Sequence, residues 1–271
     1  MTKTIPLKTA PVKFQKKNIF FTDEGKGKVI VLLHGFTESS KIWTGFASKL
    51  SEKYRVITID LPGHGKSGRV AKIHTMELMA DVVCAVLKKA GIGKSLMIGH
   101  SMGGYLTLAF AEKYPKMLKG IGLFNSHCFA DTSEDISNRD RTIAIVEKDK
   151  FSFVAQFIPG LFPVEVHKLF AKQIERLVQR ASKMDKESVI AALEGMKVRK
   201  DQTELLKTTN LPVLFILGLK DSKAPLTKLW EMVSLPAKSE ILLLRDCGHM
   251  GYIEAPEATF GAVMNFAKSN L

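Results

Sequence analysis

The chain has 271 residues, 45% hydrophobic and 25% charged, a balance that excludes wholesale disorder and supplies a substantial core. No run approaches the ~18 consecutive apolar residues of a membrane-spanning helix, and the opening stretch MTKTIPLKTAPVKFQKKN has no apolar leader segment. Forty Lys and Arg against 27 Asp and Glu give a net charge of +13; the excess is scattered lysine without a nucleic-acid-binding signature, which points to a solvated basic surface, with attraction of anionic substrates as the sharper alternative.

Residues 18–22 read as a short strand, closed by the turn-forming Asp23-Glu24-Gly25. Val29–Leu33 (VIVLL) is an unbroken apolar run ending at Gly35, the pattern of a strand buried on both faces of a parallel sheet. Residues 42–50 have helical spacing, with Ile42, Phe46 and Leu50 on one face. Arg55–Ile59 is a second strand, stopped by Asp60 and Pro62. A helix follows over 74–90, with Leu78, Val82, Val83 and Val86 on one face and Gly91 beyond its end. Then come a strand at 95–98, a helix at Met102–Lys113 halted by Pro115, and a strand at 119–124.

From about His127 to Asn210 the pattern is helical only, over 140–150, 164–184 and 186–200. Alternation resumes with a strand at 212–217, a helix near 226–232, a strand at 240–244 and a last helix at 256–269. Alternating strands and helices predict an α/β fold with a mostly parallel central sheet flanked by helices. The expected division is a core of residues 1–126 and 211–271, with 127–210 inserted as a helical cap over the strands' C-terminal edge.

Gly99-His100-Ser101-Met102-Gly103 fits G-x-S-x-G between a strand and a helix. A nucleophile on so sharp a turn needs small neighbours two residues to either side, and the helix start adds free N–H groups for a developing oxyanion. A serine needs a base, and His249, in the glycine-flanked loop Asp246-Cys247-Gly248-His249-Met250-Gly251, is the candidate. Asp221, just past the strand at 212–217, is the acid that would orient it. Asp246 lies too near His249 in sequence, and the position after Phe124 holds Asn125, which is no acid. Each residue alone has a plainer explanation: a glycine-rich helix start, a backbone-satisfied loop histidine, a surface turn aspartate. The order Ser101, Asp221, His249 favours the chemical reading of all three together.

Those residues, with His34-Gly35-Phe36, the run from Asp60 to Ser67, and Gly218 before Asp221, resemble the α/β-hydrolase-fold serine hydrolases of the small capped carboxylesterase, enol-lactonase and C–C hydrolase kind. The resemblance covers nearly all of residues 18–271 and is weakest over the cap. It implies a catalytic triad of Ser101, Asp221 and His249, and an oxyanion hole built from the backbone N–H groups of Met102 and Phe36. It implies no cofactor, and a small-molecule ester or acyl substrate through an acyl-enzyme. Lactone opening, C–C bond hydrolysis, thioester cleavage, and a small-ligand receptor that keeps the triad remain open beside ester hydrolysis.

The remaining signals are weaker. Gly63-His64-Gly65-Lys66-Ser67-Gly68 fits a dinucleotide-binding pattern, but Pro62 opens the loop and no helix starts at it. His34 and His64 read as loop braces, His100 as packing beneath the serine, His127 as a possible pocket residue, and His74 and His167 as helix-surface residues. Of the aromatic and aliphatic residues of the cap, Phe151, Phe153, Phe157, Phe162, Phe170, Ile158, Leu161 and Leu169, most are expected in its own core and a few facing the serine. No residue cluster has metal-ligand spacing. Three distant cysteines, Cys84, Cys128 and Cys247, form no disulfide framework and point to a reducing compartment, so a cytoplasmic protein that binds neither nucleic acid nor membrane is expected.

Overall fold

The computed structural model describes residues 8–9, 11–223 and 226–271; residues 1–7, which carry much of the stretch read above as leaderless, lie outside it. The strands are β1 (Lys8–Thr9), β2 (Val12–Phe14), β3 (Lys17–Ile19), β4 (Phe21–Glu24), β5 (Val29–Leu33), β6 (Arg55–Ile59), β7 (Ser95–His100), β8 (Leu118–Phe124), β9 (Val213–Gly218) and β10 (Ser239–Leu244). The helices are α1 (Thr44–Leu50), α2 (Met76–Lys89), α3 (Met102–Lys113), α4 (Ser133–Phe157), α5 (Ala171–Ser182), α6 (Lys186–Lys197), α7 (Thr203–Thr208), α8 (Leu226–Val233), α9 (Gly251–Glu254) and α10 (Pro256–Asn270).

Side chains along a strand alternate between its faces, and here that parity divides the core in two. Val31 and Leu33 of β5 pack with Met97, Ile121, Phe215 and residues of α2 and α3. Ile30 and Leu32 pack on the opposite face with Ile98, Leu214, Trp43, Phe46 and residues of α10. Because both faces are covered, all five residues of β5 and all six of β7 and β9 are buried. Each fully buried Leu or Ile contributes roughly 1.5–3 kcal/mol, so the central strands hold the sheet and the functional loops hang from them.

The sheet has eight strands in the order β1-β4-β6-β5-β7-β8-β9-β10. β1 and β4 run antiparallel to their neighbours, and every pair from β6 to β10 is parallel. Parallel strands end on one edge, where ligands of open α/β sheets bind. The segments after β5, β7, β8, β9 and β10 therefore converge there, bringing together residues 34–38, 101, 125, 221 and 249.

The connection between β8 and β9 contains helices and no strand. Its details differ from the periodicity. The helix expected at 140–150 is part of α4, which bends at Asp149 (φ −152°, ψ 86°). There the Asp149 carboxylate accepts hydrogen bonds from the amide and hydroxyl of Ser152, capping a fresh start of the helix. The helix expected over 164–184 is a 3₁₀ turn at Val164–Val166 followed by α5. α7 was not anticipated, because six residues are too few to establish a helical period. At the N-terminal end, residues 18–22 divide between β3 and β4, and the β2–β3 hairpin was not anticipated.

Candidate active site

Ser101 stands between β7 and α3 with φ 52° and ψ −117°. A side chain in this conformation costs about 1–3 kcal/mol and persists only where its surroundings over-determine it. Here the Ser101 amide donates to the Phe124 carbonyl at 2.9 Å. Its carbonyl accepts from the Gly104 amide and from the Ser126 hydroxyl, both at 2.8 Å. The motif's spacing follows from close packing: a Cβ on Gly99 would lie 2.0 Å from the Gly103 carbonyl oxygen, and one on Gly103 would lie 2.6 Å from that of Leu33. The loop after β5 abuts the serine, since a Cβ on Gly35 would lie 3.2 Å from the Ser101 Cβ. The Phe36 amide has no acceptor among the described residues, and Met102, at the first position of α3, has an amide with no partner inside the helix.

His249 Nδ1 and Asp221 Oδ2 lie 2.8 Å apart, with both side chains almost wholly buried. Burial alone would raise the Asp221 carboxyl. The His249 charge and hydrogen bond, the Lys223 amide and the Asn125 side chain outweigh it and hold the acid below its ordinary value. An ionised Asp221 accepts, so Nδ1 of the imidazole carries the proton and Nε2 is left as a base. Asn125 Nδ2 also donates to the Gly248 carbonyl at 3.0 Å. Glu254 accepts from the Gly248 and Met250 amides at 2.9 and 3.0 Å, and the His249 amide donates to the Leu161 carbonyl at 2.9 Å. The loop is thus held from α9 on one side and from the helical insertion on the other.

Behind the serine lies a buried ionic cluster that sequence reasoning missed. Glu38 Oε2 accepts from the Gly35 amide at 2.6 Å and lies 3.0 Å from His100 Nδ1, while Oε1 accepts from the Tyr252 hydroxyl at 2.9 Å. His100 Nε2 donates to the His249 carbonyl at 2.9 Å. Burial works against both charges, yet their mutual attraction and hydrogen bonds win: Glu38 is held at about 2 and His100 is raised. Nothing in the local sequence marks Glu38, which reads as an ordinary polar loop residue. Asn125 is equally silent because its partners are remote along the chain, and Glu254 because the backbone amides it binds carry no sequence signal.

Ser101 and His249 both line a cavity of about 480 Å³. Phe36, Phe153 and Phe157 supply aromatic wall; the Phe157 ring meets Phe36 edge-on at 5.6 Å and stacks on Phe153 at 5.2 Å. Tyr105, His127, Arg139 and Arg199 supply a polar wall. There the Tyr105 hydroxyl lies 3.0 Å from His127 Nε2, and the Arg199 guanidinium lies over the Tyr105 ring at 4.2 Å. Asp131 pairs with both Arg199, at 2.5 Å, and Arg139.

Of the apolar residues singled out in the helical insertion, Phe153 and Phe157 reach this cavity, Ile158, Leu161 and Phe162 are buried, and Phe151 and Leu169 are largely exposed. His127 does line the cavity. His34 braces its loop as expected, Nε2 accepting from the Leu61 amide at 2.9 Å. His74 is not a surface residue: it is fully buried two residues before α2, where its amide donates to the Ala191 carbonyl of α6 at 2.9 Å and its backbone lies against Gly195. Burial pushes the Cys128 and Cys247 thiols up to about 11, which keeps both protonated at neutral pH.

The glycine-rich run at 63–68 is no phosphate cradle. The amides of Gly63, His64, Ser67 and Gly68 donate to backbone carbonyls, and that of Lys66 donates to Asp60 Oδ2. Gly65 is required because a Cβ there would lie 2.3 Å from the Asp60 carboxylate. Among the described residues no group of three or more His, Cys, Asp or Glu is placed to hold a metal ion.

Comparison with known proteins identifies the fold and the family. The alpha/beta hydrolase fold family matches residues 28–182. The 2-hydroxy-6-oxononadienedioate/2-hydroxy-6-oxononatrienedioate hydrolase of Escherichia coli is 27% identical over 261 residues, spanning 92% of this chain and 90% of that protein. A thermophilic esterase from Thermogutta terrifontis, solved with malate bound, superposes with a TM-score of 0.90 at 30% identity, over 98% of this chain and 99% of its own. The enol-lactonase of Burkholderia xenovorans has the same fold, with a TM-score of 0.85 at 21% identity over 92% of this chain and 96% of its own.

Proposed function

The chain belongs to the α/β-hydrolase fold family, and on that footing we propose that it is a serine hydrolase that cleaves a small carboxylic ester through an acyl-enzyme. The observation that carries this reading is Ser101 on a strained turn, sharing a cavity with an imidazole whose far nitrogen is bonded to Asp221 at 2.8 Å. His249 Nε2 takes the Ser101 proton as Oγ attacks the carbonyl carbon. The amides of Met102 and Phe36 hold the resulting oxyanion, and loss of one such donor costs about 3–4 kcal/mol. His249 then protonates the leaving group, and a water activated by the same imidazole releases the acid and restores the serine.

In this reading residues 127–210 act as a cap. Phe153 and Phe157 lend it an apolar wall over the serine, and its Leu161 carbonyl holds the His249 amide. The aromatic wall suits a small apolar acyl group. Hydrolysis of a C–C bond beside a carbonyl is the second reading, favoured by the Escherichia coli hydrolase at 27% identity over 92% of this chain; the same serine, imidazole and oxyanion donors serve it. Three free, buried cysteines suit a reducing, cytoplasmic setting.

The test is turnover of p-nitrophenyl butyrate followed from the first milliseconds. The expected result is a burst of one p-nitrophenolate per enzyme, and a loss of about 10³-fold or more in Ser101→Ala with its fold retained. Full turnover in Ser101→Ala would overturn the proposal.

A further inference from the structure

A second cavity of about 710 Å³ lies between the loops after β5 and β6 and the junction of α5 with α6. It shares no lining residue with the first, and the loop after β5 divides them: Phe36 faces one, Thr37 and Glu38 the other. Lys41, Lys66, Arg69, Arg180 and Lys183 line it. Arg69 approaches Asp185 at 4.0 Å; the other four are exposed and pair with no carboxylate among the described residues. Most carboxylates on its wall are already occupied. Glu38 is bound to His100, Gly35 and Tyr252. Asp60 accepts from the amides of Ser40 and Lys66, and Asp185 caps α6 through Ser188. Cationic donors therefore line the space while three of its four acids turn oxygens to the protein's own donors; the fourth, Glu24, is half-buried.

The rest of the wall mixes hydroxyl side chains such as Thr22, Thr58 and Ser188 with apolar ones, of which Phe21, Leu177 and Met184 are each more than nine-tenths buried. A concave site that combines apolar wall with several cations selects an amphipathic small molecule rather than a bare ion. A monocarboxylate would engage one cation. A phosphate monoester carries nearly two charges at neutral pH and presents three acceptor oxygens, and the arginine forks match that geometry.

We propose that this cleft binds a small organic phosphate, its phosphate held by Arg180, Lys183, Lys66 and Lys41 and its carbon skeleton lying on Leu177 and Met184. The site uses side chains rather than the glycine-rich turn, whose amides are engaged, and it does not depend on the hydrolase chemistry of the other cavity.

Calorimetric titration with phenyl phosphate at low ionic strength tests it, with inorganic phosphate and benzoate as comparison ligands. The expected result is one site per chain that prefers phenyl phosphate to both. Affinity should fall about tenfold or more in the double variant Arg180→Ala, Lys183→Ala. It should be unchanged in Lys88→Ala, Lys89→Ala, which removes exposed cations of α2, and unchanged in Ser101→Ala. Absence of binding would overturn the proposal, as would equal weakening by the α2 variant, which would mean a diffuse field. Loss of binding in Ser101→Ala would place the phosphate in the other cavity and overturn it too.

Discussion

His64 and His74 hold their imidazoles where a second proton has no acceptor among the described residues. His64 Nδ1 donates to the Pro62 carbonyl at 2.9 Å and its buried Nε2 has no protein partner. His74 Nε2 accepts from the Val70 amide at 3.3 Å, which leaves Nδ1 protonated, buried and without a protein partner. Burial, above all, brings them to about 3 and about 4, with neighbouring histidines pressing His64 further and Arg69 pressing His74. Both values lie below the ~6.5 of an unfolded histidine. As pH falls through that reference the unfolded chain takes up protons first, so the stability each contributes is full above ~6.5 and drains as pH approaches the folded value. Each histidine should remove about 2 kcal/mol of unfolding free energy between pH 7 and pH 5. His100 has the opposite sign: raised by Glu38 against its burial, it contributes fully below ~6.5 and loses only as pH rises through its folded value. Urea unfolding at the two pH values checks this, and His74→Gln should lessen the acid loss by about one histidine's share. Equal stability at both pH values would contradict the assignment.

Between elements, the joins matter more than the elements. Glu38 accepts from Gly35 in the loop after β5, pairs with His100 at the end of β7, and through it reaches the carbonyl of His249 beyond β10. One carboxylate thus joins the three chain segments that carry Phe36, Ser101 and His249. Glu38→Gln keeps the shape and removes the charge. It should cost about 3 kcal/mol of stability, the scale of a broken buried pair, and lower kcat for the p-nitrophenyl ester while leaving KM nearly unchanged, because it touches no substrate. Unaltered kcat in a destabilised variant would reduce Glu38 to a structural role. Ser101 and its glycines were legible in the sequence because a local turn dictates their spacing, and β5, β6 and α3 were legible because apolar runs and helical period are local too. Glu38, Asn125 and Glu254 were not, since each acts across 60 residues or more, or on backbone amides that carry no sequence signal. The bend of α4 at Asp149 was hidden for a similar reason: an aspartate followed by Ser152 reads equally as helix interior.

At the scale of the whole molecule, parallel strands explain why distant residues meet. Every loop that supplies a member of the site leaves the same edge of the sheet, and the two core clusters on either face fix that edge's geometry. The alternation of strands and helices made this architecture readable in advance. The helical insertion was readable only as helical, because its segments pack on one another and on the loops rather than on a regular sheet. The excess charge of +13 was legible as a number but not as a place; five of those cations gather around the second cavity.

In the proposed reaction the Ser101 hydroxyl is the reactive group and the His249 imidazole activates it. Treatment with diethyl p-nitrophenyl phosphate, followed by intact-protein and peptide mass spectrometry, measures this directly. The expected result is one diethylphosphoryl group per chain, carried by Ser101, with labelling slowed about 10³-fold or more in His249→Ala. Labelling of another residue, or an undiminished rate at Ser101 without the imidazole, would contradict it.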